Sequence, residues 1–188
     1  LSDTQSPQGI LALVKQYHYT LDEVAGASQK TGKPALLMVL ETIQDPGNLG
    51  TILRAGEGAG VTGIVMDANT ADIYNPKVIR STMGSVLRMP FVYVENLHET
   101  LEELKKKKIR LFAAHLQGKH AYDQEDYTGP TAFLIGNEGN GLTEETAAMA
   151  DTYIRIPMEG RVESLNAAVA ASVLMFEAAR QRRNHTGK

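Results

Sequence analysis

The chain contains no cysteine and no tryptophan in its 188 residues. Without cysteine, disulfides, cysteine-ligated zinc and thiol nucleophiles are excluded. This composition is compatible with a reducing cytoplasm. No apolar run approaches the roughly 18–20 residues of a membrane span. The opening residues, Leu1 to Gln5, have neither the basic nor the apolar region of a signal peptide. They also include no initiator methionine, so the chain is expected to be a fragment or a processed product. His18, His98, His115, His120 and His185 are scattered without metal-ligand spacing, and no metal site is expected. No G-x-S-x-G elbow or P-loop is present, which disfavours hydrolase and nucleotide-triphosphatase chemistry. Positive charge is not in excess either. The chain has 19 Lys+Arg against 22 Asp+Glu, a formal net charge of −3, which argues against a generic nucleic-acid coat protein.

What is present is ordinary for a folded domain: 43% hydrophobic and 22% charged residues. Short apolar runs at residues 34–41, 61–67, 89–95, 109–115, 131–136 and 152–157 read as strands. Helical patterns occupy 48–59, 76–84, 97–108, 143–150 and 164–183. Near-continuous apolar strands alternating with helices predict an α/β fold, a mostly parallel sheet flanked by helices on both faces. Residues 1–33 differ. They hold a turn at Ser6-Pro7-Gln8-Gly9, a brief apolar stretch, a weak helix over 20–29 and a linker signal at 30–33. This segment cannot form a core of its own. It is expected to pack on the domain at 34–188 or to be the stub of a preceding one.

Several features have unremarkable explanations. Gly56, Gly58 and Gly60 match a G-x-G-x-G spacing, but they end a helix and precede a strand. A dinucleotide loop has the opposite polarity, so helix capping and close packing are the better reading. The lysine run at 105–108, and Arg180, Arg182 and Arg183, read as solvated faces.

Three segments stand out. In the first, Asp45-Pro46-Gly47 leads to Asn48, expected to cap a helix, and Arg54 follows six residues later. Arg54 either reaches back over the strand ends or merely pairs with Glu57 at i+3. In the second, Gly136, Asn137, Glu138, Gly139, Asn140 and Gly141 directly follow an apolar strand. A backbone-rich loop there sits where open α/β sheets bind ligands. In the third, a strand ends at Pro157, a glycine-containing loop follows, and Ser164 is expected to cap a helix rich in alanine, with Asn166 in its first turn.

Together and in this order, these segments resemble the SpoU (TrmH-like) branch of the SPOUT RNA methyltransferases. The family's N-x-G-x-x-x-R motif is matched by Asn48, Gly50 and Arg54. Its G-N-E-G-x-G-L loop is matched by Gly136 to Leu142. Its I-P-M-x-G and S-L-N elements are matched by Ile156 to Gly160 and Ser164 to Asn166. Asn75-Pro76-Lys77, Gly84 and Arg88-Met89-Pro90 also look like the family. The resemblance runs from about Pro34 to Arg183.

The resemblance implies an α/β knot, with a deep C-terminal trefoil. It implies S-adenosylmethionine as cofactor, held by His115, Leu116, Gly136, Ile156, Met158 and Leu165, with Asn137, Gly139 and Pro157 completing the set. It implies a homodimer whose active sites are completed by both subunits, acting without metal or membrane on RNA. The reaction would be 2′-O-methylation of a ribose, in ribosomal RNA rather than transfer RNA. Arg54, Asn48, Glu138, Ser164 and Asn166 would form the catalytic group. Arg54 would act either as a base or as a phosphate and ribose positioner; a guanidinium in water stays protonated, so a base role needs desolvation or a neighbouring cation. Glu138 would shape the loop or orient Arg54. Asp3-Thr4 and Pro7-Gln8-Gly9 resemble the linker that follows the family's N-terminal RNA-binding domain. That domain is therefore expected upstream, and the 188 residues alone should bind RNA weakly, through local cations such as Arg54, Lys77, Arg80 and Arg88. A transfer-RNA 2′-O-methyltransferase, a base-nitrogen methyltransferase, a non-catalytic knotted RNA-binding or assembly factor and a nucleotide-dependent oxidoreductase are the alternatives.

Overall fold

The strand β1 (Leu36–Leu40) is five apolar residues, all buried, and it lies in the interior of the sheet. A computed structural model describes residues 9–10 and 12–185, apart from the side chains of 28–31. Asp3-Thr4 and Pro7-Gln8 lie outside the described residues. The other strands are β2 (Gly63–Asp67), β3 (Phe91–Val94), β4 (Arg110–Ala114), β5 (His120–Ala121), β6 (Thr131–Ile135) and β7 (Thr152–Arg155). They form one sheet in the order β3-β2-β1-β6-β4-β7-β5, and all six pairings are parallel.

Successive residues of β1 feed two cores, because side chains alternate across a strand. Leu36, Met38 and Leu40 join one cluster, with Leu49, Ile52 and Leu53 of α2 (Pro46–Ala59) and Ala171, Leu174 and Met175 of α6 (Ala167–His185). Helix α3 (Pro76–Thr82) adds Val78 to that side. Leu37 and Val39 join the other cluster, with Val24 of α1 (Leu21–Thr31), Leu101 and Leu104 of α4 (Leu97–Lys106) and Ala147 of α5 (Glu144–Ala148). Helices therefore cover both faces. The segment before residue 34 joins this packing: Val24 is fully buried over Gly63, where a Cβ would fall 2.5 Å from Val24 Cγ1.

The glycine cluster of α2 does what capping and packing require. Gly60 ends the helix at φ +83°, and Gly56 lies against Val61 and Met175. Asp45 caps α2, accepting from the Asn48 N–H at 2.8 Å; Asn48 is the third residue inside the helix, not its cap. At the other end of the chain Asn166 caps α6, its Oδ1 accepting from the N–H of Ala168 at 2.9 Å and of Val169 at 3.3 Å. The last helix thus begins at Ala167, three residues beyond the expected Ser164.

Two cations are committed differently from the sequence reading. Arg182 is not on a solvated face. Its guanidinium donates to the carbonyls of Tyr127, Pro34, Ala35 and Gly129 at 2.7–2.9 Å, tying α6 to the starts of β1 and β6. Burial lowers its pKa from the usual guanidinium value. Arg88 grips Glu57 with two N–H groups, while Ser85 donates a third hydrogen bond, so Glu57 pairs with Arg88 rather than Arg54. Hydrogen bonds from Arg88, and then from Ser85, hold the Glu57 carboxyl down to about 2. A depressed carboxyl stabilises the fold above its unfolded value, near ~4.3, and loses that contribution as pH falls toward the folded value. The melting-temperature difference between wild type and Glu57→Gln is therefore expected to be constant above pH 5 and to shrink steadily down to pH 2.5. A difference independent of pH would contradict this linkage.

Candidate functional site

The carboxyl ends of β6, β4 and β7 open onto a cavity of about 890 Å³. That is the edge where parallel α/β sheets place their ligand sites, and the volume is within the range of small-molecule pockets. Its walls come from three loops. Residues 114–117 follow β4, residues 136–142 follow β6, and residues 156–165 connect β7 to α6.

All nine cofactor candidates face this one cavity: His115, Leu116, Gly136, Asn137, Gly139, Ile156, Pro157, Met158 and Leu165. Leu116 is exposed at its mouth. Ile135, Ile154 and Leu174 extend the apolar lining from the strands and α6; nothing in the sequence separated these from ordinary core residues. The lining thus joins apolar side chains to a run of glycine backbone. This suits a ligand with a flat heterocycle and a polar ribose and amino-acid portion, and it is chemically matched to S-adenosylmethionine.

The loop after β6 is folded back on itself. The Asn137 and Gly141 backbones exchange hydrogen bonds at 2.9–3.0 Å. Asn137 Oδ1 accepts from the N–H of Gly139 and Asn140, and its Nδ2 donates to the Thr42 carbonyl at 2.9 Å. Gly136 has no room for a side chain: a Cβ would fall 2.1 Å from Gly141 C and Leu142 N.

Glu138 lies on the cavity side of this loop and draws α2 toward it. Its carboxylate accepts from the Asp45 N–H at 3.0 Å, the Gln44 N–H at 3.3 Å and Asn48 Nδ2 at 3.0 Å. Asn48 Oδ1 in turn accepts from Asn166 Nδ2 at 3.0 Å. A relay Glu138–Asn48–Asn166 therefore joins three segments up to 118 residues apart. Burial would raise the Glu138 pKa, but the hydrogen bonds from Asn48 and from the backbone outweigh it and hold the carboxyl below its ordinary value. Glu138 is therefore an anionic anchor and a poor proton acceptor at neutral pH.

The five catalytic candidates are not all in one place. Ser164 lines the cavity, exposed, with no hydrogen bond of its own among the described residues. Arg54 stands apart. It is exposed on α2, is absent from the cavity lining, and has no hydrogen-bond or ion-pair partner among the described residues. It sits one turn before Gly58, where a Cβ would lie 3.8 Å from the half-exposed Phe176 ring of α6.

Sequence reasoning missed Glu41, Thr42, Thr143 and Thr146, which hold the loop from behind. The available signal was an acidic residue directly after a buried apolar strand. Among the described residues no group of three or more His, Cys, Asp or Glu side chains is placed to hold a metal ion, and no helix is long and apolar enough to cross a membrane.

Comparison with known proteins gives a consistent result. The SpoU rRNA methylase family model matches residues 35–176. The 23S rRNA (guanosine-2′-O-)-methyltransferase RlmB of Xylella fastidiosa is 39% identical over 151 residues, covering 80% of this chain and 61% of that protein. The 23S rRNA (guanosine(2553)-2′-O)-methyltransferase RlmP of Bacillus subtilis is 32% identical over 176 residues, covering 94% of this chain and 66% of that protein. The crystal structure of the SpoU methyltransferase AviRb from Streptomyces viridochromogenes, in complex with the cofactor AdoMet, superposes with a TM-score of 0.76 at 34% identity, covering 81% of this chain and 62% of that one. The chain thus spans less than two thirds of the length of each of these relatives. With the family model matching most of its length, the chain belongs to the SpoU rRNA methylase family.

Proposed function

We propose that the chain is the catalytic part of an S-adenosylmethionine-dependent RNA methyltransferase that methylates a ribose 2′-hydroxyl, in ribosomal RNA. The observation that carries this reading is the cavity at the strand ends, walled by the glycine loop and bordered by the Glu138–Asn48–Asn166 relay. When bound, the cofactor supplies a methyl group already activated by its sulfonium, so no metal is required. The chain's own residues bind, orient and shield. Gly136, Ile156, Met158 and Leu165 hold the adenosyl portion. Glu138 fixes Asn48, Asn48 fixes Asn166, and Ser164 presents its hydroxyl at the cavity rim for the ribose.

Forming the methyl ether requires the hydroxyl proton to leave, and it passes to solvent water. Arg54 serves this step as a positioner of the phosphate beside the target ribose, with electrostatic help to the developing alkoxide. Its exposure outside its own subunit's cavity supports a site completed by two subunits, in which Arg54 reaches the cavity of a second copy. The half-exposed Val169 and Phe176 of α6, beside α2, supply apolar surface for such a homodimer.

The same reading holds the C-terminal path to be a trefoil knot. The close passage of the β4–β5 connection over β7 supports it: a Cβ on Gly118 would lie 2.7 Å from the Ile154 carbonyl carbon. It also assigns 34–188 as the methyltransferase domain and 1–33 as the linker after an RNA-binding domain, with the activity in the cytoplasm. Arg88 contributes little to RNA binding, because Glu57 occupies it; Lys77 and Arg80 are the better candidates.

Calorimetry tests the cofactor assignment. S-adenosylhomocysteine is expected to bind with one site per chain and NAD not to bind. Binding of NAD alone would overturn the reading.

A further inference from the structure

The loop that forms the cavity's glycine wall is laid on a template that the reaction itself does not use, residues 41–45. Glu41 follows β1, is 8% exposed, and its backbone N–H continues the sheet to the Ile135 carbonyl at 2.9 Å. Its carboxylate accepts the Thr143 N–H and the Thr143 hydroxyl, each at 2.8 Å, and the Thr146 hydroxyl. Thr143 comes directly after Gly141 and Leu142, the backbone that presses on Gly136. Glu41 therefore fixes the far end of the loop, as Thr42 and Glu138 fix its near end.

Thr42 adds a second sign that this template is built for position. It is β-branched yet adopts φ +56°, the left-handed region that such residues avoid. Asp67 holds it there, accepting from the Thr42 N–H at 2.9 Å and hydroxyl at 2.8 Å. In that conformation its carbonyl meets Asn137 Nδ2. An unfavourable backbone conformation persists only where its surroundings determine it.

We infer that Glu41 is a positioning residue for the cofactor: by anchoring Thr143 it sets the Gly141–Leu142 backbone against Gly136 and so sets the width of the binding wall. The inference rests on the cofactor reading above. An ionised carboxylate is an acceptor only, and the three groups that face it are donors. Glu41→Ala leaves all three donors without their acceptor, and the Thr143 N–H cannot turn to find another.

The test measures S-adenosylhomocysteine affinity by calorimetry at a temperature where each variant is folded. Glu41→Ala is expected to bind about 10-fold more weakly, and amide exchange is expected to quicken at Gly141 and Thr143 while β2 and β3 stay protected. Arg182→Met is the control for general destabilisation, since it loosens α6 away from the loop; it is expected to lower the melting temperature and keep wild-type affinity. A merely structural Glu41 would behave like Arg182→Met, and that result overturns the role, as would unchanged loop exchange. No binding by the wild type would overturn the cofactor reading, and the positioning role with it.

Discussion

Gly136→Ala is expected to abolish tight cofactor binding. The added Cβ would lie 2.1 Å from Gly141 C and Leu142 N and 2.3 Å from Gly141 O. All three are backbone atoms, so no rotamer change relieves the collision. Gly136 is not among the glycines with positive φ; space, not backbone freedom, requires glycine here. The loop is pinned at Thr42, at Asp45 and Gln44, and at Glu41, so it cannot shift as a unit. The wall must therefore deform. A loss of about 100-fold or more in S-adenosylhomocysteine affinity follows, roughly 3 kcal/mol, with circular dichroism preserved. Gly26→Ala, in α1 with nothing within 4 Å of the new Cβ, is the matched control and keeps wild-type binding. Equal affinity for Gly136→Ala and wild type would mean that this loop does not form the site.

Arg54→Ala is expected to leave cofactor affinity unchanged and to lower methyl transfer to RNA by about 1000-fold, the scale of a lost positioning contact near a reacting atom. The separation of the two effects follows from geometry, because Arg54 lies outside the cavity and its side chain has no hydrogen-bond or ion-pair partner among the described residues. Arg54→Lys is expected to recover only a small part, since a single ammonium does not reproduce the guanidinium fork on phosphate. Transfer of labelled methyl at saturating cofactor measures this. A wild-type rate for Arg54→Ala would remove Arg54 from the active site. Mixing Arg54→Ala with a cofactor-binding-defective Gly136→Ala subunit distinguishes one-subunit from two-subunit sites: recovered activity in the mixture fits sites completed across the dimer.

The sheet was legible in the sequence because its strands are buried on both faces. The run at 34–41 contains β1 (Leu36–Leu40) with two residues to spare before it and one after, and the runs at 61–67, 131–136 and 152–157 contain β2, β6 and β7 with one or two residues to spare at one end only. The two-residue β5 (His120–Ala121) was not, since it is a partly exposed edge strand without apolar periodicity. The last helix starts later than the sequence suggests, because Ser164 and Asn166 both carry good capping side chains. The structure uses Asn166 as the cap and leaves Ser164 on the cavity rim.

The motifs located the site's loops but not what holds them. Arg182 looks like a surface cation on a helical wheel; its four carbonyl partners come from segments 53–148 residues away. The partners of Glu41 are 102 and 105 residues away, beyond any local pattern. The left-handed Thr42 has no local signal at all, since its residue type disfavours that conformation. Pairings of this range are tertiary facts. They turn a recognisable motif into a wall with a fixed shape.

Ribose methylation of ribosomal RNA is tested by mapping 2′-O-methyl groups in cells with and without the gene for this chain. One ribose of ribosomal RNA is expected to lose its methyl group when the gene is removed, and to regain it with the wild-type gene but not with Arg54→Ala. Loss confined to transfer RNA, or no ribose losing its methyl group, would contradict it.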